Sequence, residues 1–246
     1  FGAGSNQIKR IDQADNTYEE GFVYIDQTLL EMLEIPMVYG SLAHCLDQPR
    51  TMVITKSKAD KYFPGENPVG KAMVVNNDDK NPYTIGGVIN DFPSNSHFQY
   101  QFFMSLAQKE FWPGESSNWG ATNYPTYVRL RPGTDVHEFE TKLLKVIEKY
   151  ILPTWIKEGM PDAQQVAKSF WFKLQPLEDI HLYSEGIQDG LSHGDIRFVW
   201  LFGAVALFIL LIAGINFINL STAKSANRAK EVGLRKTVGS VRGQIL

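Results

Sequence analysis

Cysteine is almost absent from this chain of 246 residues, which contains Cys45 alone. A single cysteine excludes an intramolecular disulfide, so packing has to hold the fold together. None of the five histidines lies at metal-ligand spacing from another histidine, a cysteine or a carboxylate. The sequence also has no GxSxG elbow and no cysteine and histidine constellation. We therefore predict no catalytic site, no metal site and no cofactor, and we expect that the chain is not an enzyme.

Charge is absent from one long stretch, FVWLFGAVALFILLIAGINFINL, at residues 198–220. At about 1.5 Å per residue, a helix of this length spans the roughly 30 Å hydrocarbon core of a bilayer. A soluble helix of the same length would show a polar stripe toward water, whereas the only polar residues here are Asn216 and Asn219. The stretch therefore predicts a transmembrane helix.

Basic residues are scarce before this stretch, where Arg197 stands alone at its edge, and they are concentrated after it. Residues 178–195 contain five acids and no Lys or Arg, whereas residues 224–246 contain six basic residues and one acid. Because basic flanks stay on the cytosolic side, we predict that residues 1–197 lie outside a bacterial inner membrane and that residues 221–246 form a cytosolic segment. A basic segment beside a membrane is attracted to anionic lipids, and we expect no binding to nucleic acid.

Apolar residues in the outer part recur with periods of two and of about 3.6, which predicts an α+β domain of short β-α-β units. Residues 1–197 are enough for one domain or for two closely packed subdomains. Strands are predicted at residues 21–26, 51–55, 72–75, 83–89, 124–131 and 170–174. Helices are predicted at residues 28–35, with Thr28 as the cap, at 57–63 and at 135–150. Residues 1–20 are expected to be loop or strand edge, residues 98–108 fit a strand or a helix, and residues 151–167 are expected to be a linker.

Two segments resemble binding motifs but have simpler interpretations. The sequence GENPVGKA at residues 65–72 matches a phosphate-binding loop until its last position, where Ser or Thr is missing, and it lies between a helix and a strand in the reverse of the usual order. We predict an ordinary turn. Residues 181–193 begin and end with histidine and have acids nearby (Asp179, Glu185, Asp189 and Asp195), which could gather a weak cation; a solvated acidic segment is the favoured interpretation.

The polar residues of the apolar stretch lie on one side of the predicted helix. Asn216 and Asn219 are three residues apart, and Ala213 lies on the same side. Small and amide side chains on one stripe favour close contact between helices in lipid, where an unpaired amide is costly. We predict that Ala213, Asn216 and Asn219 pack against partner helices.

The segment after the apolar stretch is NLSTAKSANRAKEVGLRKTVGS, residues 219–240. It resembles the segment after the second transmembrane helix of FtsX/MacB-like ABC transporter permeases, whose pattern is roughly R-x-x-E-I/V-G-I/L-R-K/R-x-x-G-A/S. The matching positions are Arg228, Glu231, Val232, Gly233, Leu234, Arg235, Lys236, Gly239 and Ser240. The outer part is similar to the MacB-like periplasmic domain in phrases such as PGENPVGK and YTIGGVINDFP. Of the four transmembrane helices of the family unit, only the second is present.

The resemblance implies a permease subunit that couples ATP hydrolysis by a cytosolic ABC ATPase to movement of a periplasmic domain, for mechanotransmission, efflux or export. It implies that Arg228, Glu231, Gly233 and Arg235 contact the ATPase, and that the subunit works as a homodimer or a two-permease assembly, with a possible periplasmic partner. Two alternatives stay open: a single-pass envelope sensor with an extracytoplasmic ligand-binding domain, and an anchored envelope enzyme.

Overall fold

The computed structural model describes residues 2–120, 123–184, 186–187 and 193–239. The chain divides into two compact units, residues 1–193 and residues 194–246, and each is described by itself.

A seven-stranded sheet forms the centre of the first unit, as far as its residues are described. Its strand order is β3-β6-β4-β7-β2-β1-β5, and β5 also pairs with β6. Six strands therefore form a closed ring, and β3 is attached outside it. The pairs β2–β7 and β4–β6 are parallel, and the others are antiparallel. The strands are β1 (Gly2–Arg10), β2 (Thr17–Ile25), β3 (Met37–Gly40), β4 (Thr51–Thr55), β5 (Ala72–Val75), β6 (Tyr83–Ile89) and β7 (Phe102–Ser105).

Alternating side chains of the central strands fill two apolar clusters, because successive residues of a strand point to opposite faces. The first cluster includes Phe22 and Phe102, whose rings stack with their centroids 4.3 Å apart. The second includes the next residue of each strand, Val23 and Phe103, together with Leu30 from helix α1 (Gln27–Met32). Full burial of one such side chain contributes about 1.5–3 kcal/mol, so these clusters are the main source of stability.

Helix α2 (Lys56–Tyr62) follows β4 directly and is held by two carboxylates from other elements. Glu19 of β2 is 7% exposed and accepts hydrogen bonds from Lys58 Nζ at 2.5 Å, Lys61 Nζ at 2.6 Å and the Tyr62 hydroxyl at 2.8 Å. Asp91 accepts a hydrogen bond of 3.0 Å from the backbone N–H of Ser57, in the first turn of the helix. Both contacts fix the helix against the sheet.

Close backbone approach explains the glycine pair in β6. The register of β4 against β6 shifts between Met52 and Val53, which leaves Gly86 as an extra residue. A Cβ atom on Gly86 would lie 2.0 Å from the carbonyl oxygen of Cys45. Only glycine fits at this position, because the loop after β3 passes directly over the strand.

Helices form the second part of the first unit. They are α3 (Val136–Val146), α4 (Leu152–Lys157), α5 (Ala163–Ser169) and α6 (Ile180–Tyr183), and a π-helical turn, Ile147–Ile151, joins α3 to α4. Asp135 caps α3 by accepting a hydrogen bond of 2.8 Å from the N–H of Glu138, as its sequence predicts. A third apolar cluster, around Ile147, Ile151 and Trp155, holds these helices together.

The sequence predicts the strands at residues 51–55, 72–75 and 83–89 correctly, and the helix at 57–63 to within one residue. The strand predicted at residues 21–26 is part of β2, and residues 98–108, which fit a strand or a helix, contain the strand β7. Residues 2–10 and 17–20, expected to be loop or strand edge, lie in the hairpin of β1 and β2. The predicted cap is wrong, because Asp26 and not Thr28 precedes the first turn of α1.

The predicted β-α-β unit in the second half is also wrong. Residues 124–131 and 170–174 are not strands, and most of the expected linker at 151–167 is helical. The backbone N–H of Leu174 donates to Glu140 Oε1 at 2.8 Å instead of to a neighbouring strand. Phe170 and Phe172 pack on the helical cluster, so their alternation reflects burial against helices.

The second unit contains a single helix in its described part, α7 (Ile196–Thr237), which is 42 residues long. Asp195 precedes it and accepts a hydrogen bond of 2.8 Å from the N–H of Arg197. This backbone bond and the bonds from the Arg197 side chain, which have the largest effect, lower the pKa of Asp195. The helix includes the predicted transmembrane stretch and most of the basic segment without interruption.

Candidate functional site

Helix α7 is, within the described residues, the one helix long and apolar enough to cross a membrane. None of its side chains is buried, and large apolar residues such as Trp200, Leu210 and Phe217 are more than two-thirds exposed. A soluble protein rarely exposes so large an apolar surface without a partner or a membrane. The exposure agrees with the predicted transmembrane helix.

The predicted packing stripe lies within the apolar part of α7. Ala213, Asn216 and Asn219 are exposed and share one side of the helix, because they follow one another at intervals of three residues. In the part of the chain that is described, neither asparagine carboxamide has a hydrogen-bond partner. In lipid these carboxamides would need partners from another helix. Their packing role stays a prediction.

The predicted coupling residues lie in the basic part of α7. Arg228, Glu231 and Arg235 are exposed and share a face, since they are spaced three and four residues apart. Glu231 and Arg235 form an ion pair across one turn. An exposed pair of this kind contributes only about 0.3–0.5 kcal/mol to the helix, so it explains little about why these residues stand together.

Gly233 lies on a different side of the helix from the charged residues. At about 100° per residue, it is about 160° away from both Glu231 and Arg235. The helix continues through it without a break, and a Cβ atom there would meet no atom within 4 Å. The structure therefore brings together three of the four predicted coupling residues, and the ATPase contact itself stays a prediction.

The first unit contains a cleft of about 840 Å³ that the sequence did not predict. It is lined by the end of β2, by α1, and by residues from the segments before and after β7. Five aromatic side chains contribute to the lining: Tyr24, Phe98, Tyr100, Tyr124 and Tyr127. The aromatic residues within 91–127 were a signal in the sequence, but only the fold shows that four of them line the same cleft as Tyr24.

Hydrogen bonds fix the side of the cleft that is formed by Glu115 and residues 123–127. Glu115 is 8% exposed and accepts hydrogen bonds from the N–H of Phe111 at 2.6 Å, the hydroxyl of Tyr124 at 2.8 Å and the amide of Asn123 at 3.3 Å. Burial would raise the pKa of Glu115, but these hydrogen bonds outweigh it and lower the pKa. The Tyr127 hydroxyl lies 3.1 Å from Nε2 of His97. The aromatic wall is therefore preorganised.

Asp26 and Lys109 place opposite charges on the cleft lining. The Lys109 ammonium lies 5.4 Å from the ring centroid of Tyr24 and 5.1 Å from that of Phe111. Burial, the hydrogen bond to Glu115 and the negative charges of Glu115 and Asp26 together raise the pKa of Tyr124 to about 12. Among these causes the charge of Asp26 has the smallest effect.

The two other motifs have structural explanations. Residues 65–72 connect α2 to β5, and Lys71 pairs with Glu66, so the predicted turn is confirmed. Nδ1 of His193 lies 2.9 Å from the carbonyl oxygen of Ile180. Glu185 and Asp189 lie outside the described residues. Within the described ranges, no group of three or more His, Cys, Asp or Glu residues is arranged to hold a metal ion.

Comparison with known proteins identifies the first unit. The family model for the MacB-like periplasmic core domain matches residues 4–146, which include all of the sheet except the first two residues of β1, together with α3. The chain belongs to this family. The resemblance found in the sequence is therefore confirmed, and membership in this family does not favour a sensor or an envelope enzyme. Together with α7, the family indicates a membrane protein with a periplasmic segment.

Relatives of the MacB-like core domain agree with this assignment. The macrolide export ATP-binding/permease protein MacB of Aggregatibacter actinomycetemcomitans is 21% identical over 207 residues, which cover 82% of this chain and 27% of the relative. The chain thus spans about a quarter of the length of this curated relative.

Two solved structures are also similar. A domain of a protein described as a permease from Porphyromonas gingivalis has 22% identity and a TM-score of 0.50, over 60% of this chain and 66% of that one. This likeness concerns the fold alone. The periplasmic region of MacB from Actinobacillus actinomycetemcomitans has 14% identity and a TM-score of 0.39, over 68% and 71% of the two chains.

Proposed function

We propose that the chain is part of an ABC transporter permease, in which the MacB-like core domain lies in the periplasm and α7 carries movement across the inner membrane. The basic end of α7 lies in the cytosol, where Arg228, Glu231 and Arg235 contact an ABC ATPase. The transporter works in export or mechanotransmission, as a homodimer or with a second permease. The match to the MacB-like periplasmic core domain and the curated relative described as an ATP-binding/permease protein support this proposal.

The continuity of α7 is the observation that carries the proposal. At about 1.5 Å per residue, its 42 residues extend about 63 Å, roughly twice the hydrocarbon thickness. When residues 198–220 lie in the bilayer, residues 221–237 extend beyond it as about 25 Å of helix. A stiff helix transmits displacement along its length, so a push on its charged face would reach the periplasmic side.

The charge pattern allows a direct test against simple lipid attraction. Each basic residue near an anionic membrane surface contributes about 1 kcal/mol of attraction, and an acid opposes it. Replacing Glu231 by lysine therefore strengthens lipid attraction, but it breaks the ion pair with Arg235 and reverses one charge of the proposed contact face.

We expect Glu231→Lys in the intact transporter to insert normally and to uncouple ATP hydrolysis from transport. The matched control is Ala229→Lys, which adds positive charge at an exposed position on another side of α7 and should leave coupling intact. The measurements are complementation of a deletion strain and recovery of the ATPase with the tagged permease. Full complementation by Glu231→Lys with unchanged ATPase recovery would show that this face of α7 does not couple ATP hydrolysis to transport.

A further inference from the structure

The aromatic cleft of the first unit has the size and lining of a ligand site. Its volume of about 840 Å³ lies within the range of roughly 300–1,000 Å³ that is usual for sites of drug-sized molecules. We propose that this cleft binds a hydrophobic monovalent cation, with the charge held by Asp26 and the apolar body packed against the tyrosines. The inference concerns the first unit alone and does not depend on contact with an ATPase.

The charges that line the cleft favour a cation over an anion. Asp26, Lys109 and Glu115 are the charged residues of the lining within the described chain, so its formal sum is negative. The Glu115 carboxylate is already occupied by three hydrogen bonds from the protein. The Asp26 carboxylate forms no hydrogen bond or ion pair with any described residue, not even as a cap of α1. It is the acceptor left for a ligand.

The aromatic lining favours a cation with an apolar body. Aromatic rings attract cations through the negative electrostatic potential of their faces, and this attraction is larger for weakly hydrated cations. The cleft already shows such a contact, because Lys109 Nζ lies 5.4 Å from the ring centroid of Tyr24. Tyr100 and Tyr127 supply further aromatic surface. A metal ion would find only one uncommitted carboxylate here and no histidine in the lining.

The wall that would hold the ligand is built before the ligand arrives. Glu115 ties Tyr124 and Asn123 to the backbone of Phe111, and His97 holds the hydroxyl of Tyr127. A preorganised wall lowers the entropic cost of binding, because fewer side chains must be ordered. Asp26 is fixed in a different way, by its position at the junction between β2 and α1.

The probe for the test is tetraphenylphosphonium, a hydrophobic monovalent cation. Its binding to the intact protein in lipid nanodiscs is measured by equilibrium dialysis, with empty nanodiscs as the blank. We expect saturable binding above the blank. Asp26→Asn should weaken binding roughly tenfold, because it removes the one carboxylate of the lining that has no partner among the described residues. The matched control Asp15→Asn removes an exposed acid outside the lining and should change nothing.

Lys109→Gln separates the charge effect from damage to the fold. It removes the opposing positive charge beside the Tyr24 ring, so binding should become several-fold tighter. A collapsed cleft cannot produce opposite changes in two variants. The proposal is overturned if the wild-type protein binds no more than empty nanodiscs, if Asp26→Asn binds like wild type, or if Lys109→Gln weakens binding.

Discussion

Replacing Glu19 by glutamine would remove the one charge that holds α2 against β2 through three side chains. The carboxylate is 7% exposed, and it accepts from Lys58, Lys61 and Tyr62 at 2.5, 2.6 and 2.8 Å. Glutamine has nearly the same shape, so packing stays intact. The substitution therefore measures the charge, and it leaves the Lys58 ammonium, whose side chain is 14% exposed, without a counter-ion.

The magnitude follows from the exposure of each partner. A hydrogen bond to a charged group contributes about 1.5–3 kcal/mol, and the contact with Lys58 counts in full because both partners are mostly buried. The Lys61 side chain is 47% exposed, so solvent reduces its share to about 0.5 kcal/mol. We expect Glu19→Gln to lower the free energy of unfolding by about 2–3 kcal/mol, and to lower the melting temperature by about 5–10 °C.

The loss of unfolding free energy in Glu19→Gln should depend on pH in a defined direction. Burial would raise the pKa of Glu19, but the hydrogen bonds from Lys58, Lys61 and Tyr62 outweigh it and lower the pKa. A carboxylate with a lowered folded-state pKa stabilises the protein fully above its unfolded pKa of about 4.3, and this stabilisation is lost as the pH falls through the folded value. The difference between wild type and variant should therefore be constant from about pH 6 to 8 and shrink below about pH 4.3.

The assay is urea unfolding, followed by circular dichroism, of residues 1–193 expressed alone. We expect this unit to fold alone because all three apolar clusters lie within it. The control is Glu20→Gln, the same change at the exposed next residue, which should alter stability by less than about 0.5 kcal/mol. Equal stability of the two variants at pH 7, or a difference that grows in acid, would refute the assigned role of Glu19.

Two further predictions concern topology and packing. The topology test uses cells that express the intact protein with Cys45 replaced by serine. A cysteine placed at exposed Lys80 should react with a membrane-impermeant thiol reagent added outside the inner membrane, and a cysteine placed at exposed Ser225 should not. The opposite labelling would overturn the assigned orientation. Gly86→Ala should destabilise the first unit by about 1–3 kcal/mol or more, because its Cβ would lie 2.0 Å from a backbone oxygen. In the same unfolding assay Gly2→Ala, whose Cβ meets nothing within 4 Å, should be nearly neutral; similar losses at both positions would contradict the packing argument.

The membrane helix and the family could be predicted from sequence because their signals are local. An uncharged run of 23 residues needs no partner from elsewhere in the chain to be identified, and the basic residues after it give a direction. The capping of α3 by Asp135 is local as well, since donor and acceptor are three residues apart. The short strands in the first half have strong apolar runs bounded by turn residues, and β4, β5 and β6 match their predicted limits.

The second half shows where alternation misleads. Residues 124–131 and 170–174 have the period of strands, but a strand also needs a neighbour with free hydrogen-bonding groups, and the sheet is largely closed into a ring. Phe170 and Phe172 are buried against helices instead. A period of two reports which side chains face apolar surroundings, and it does not identify the surface that covers them.

The sequence by itself determined the long apolar helix, the charged face formed by Arg228, Glu231 and Arg235, and the family, because each rests on residues close together in the chain. Only the tertiary structure decided the ring of strands, the support of α2 by Glu19 and the cleft around Asp26. These features bring together residues separated by about 40 to 100 positions: Glu19 is bonded to Lys61, and Asp26 and Tyr124 line one cleft. Their contacts depend on strand order and register, which no local pattern specifies.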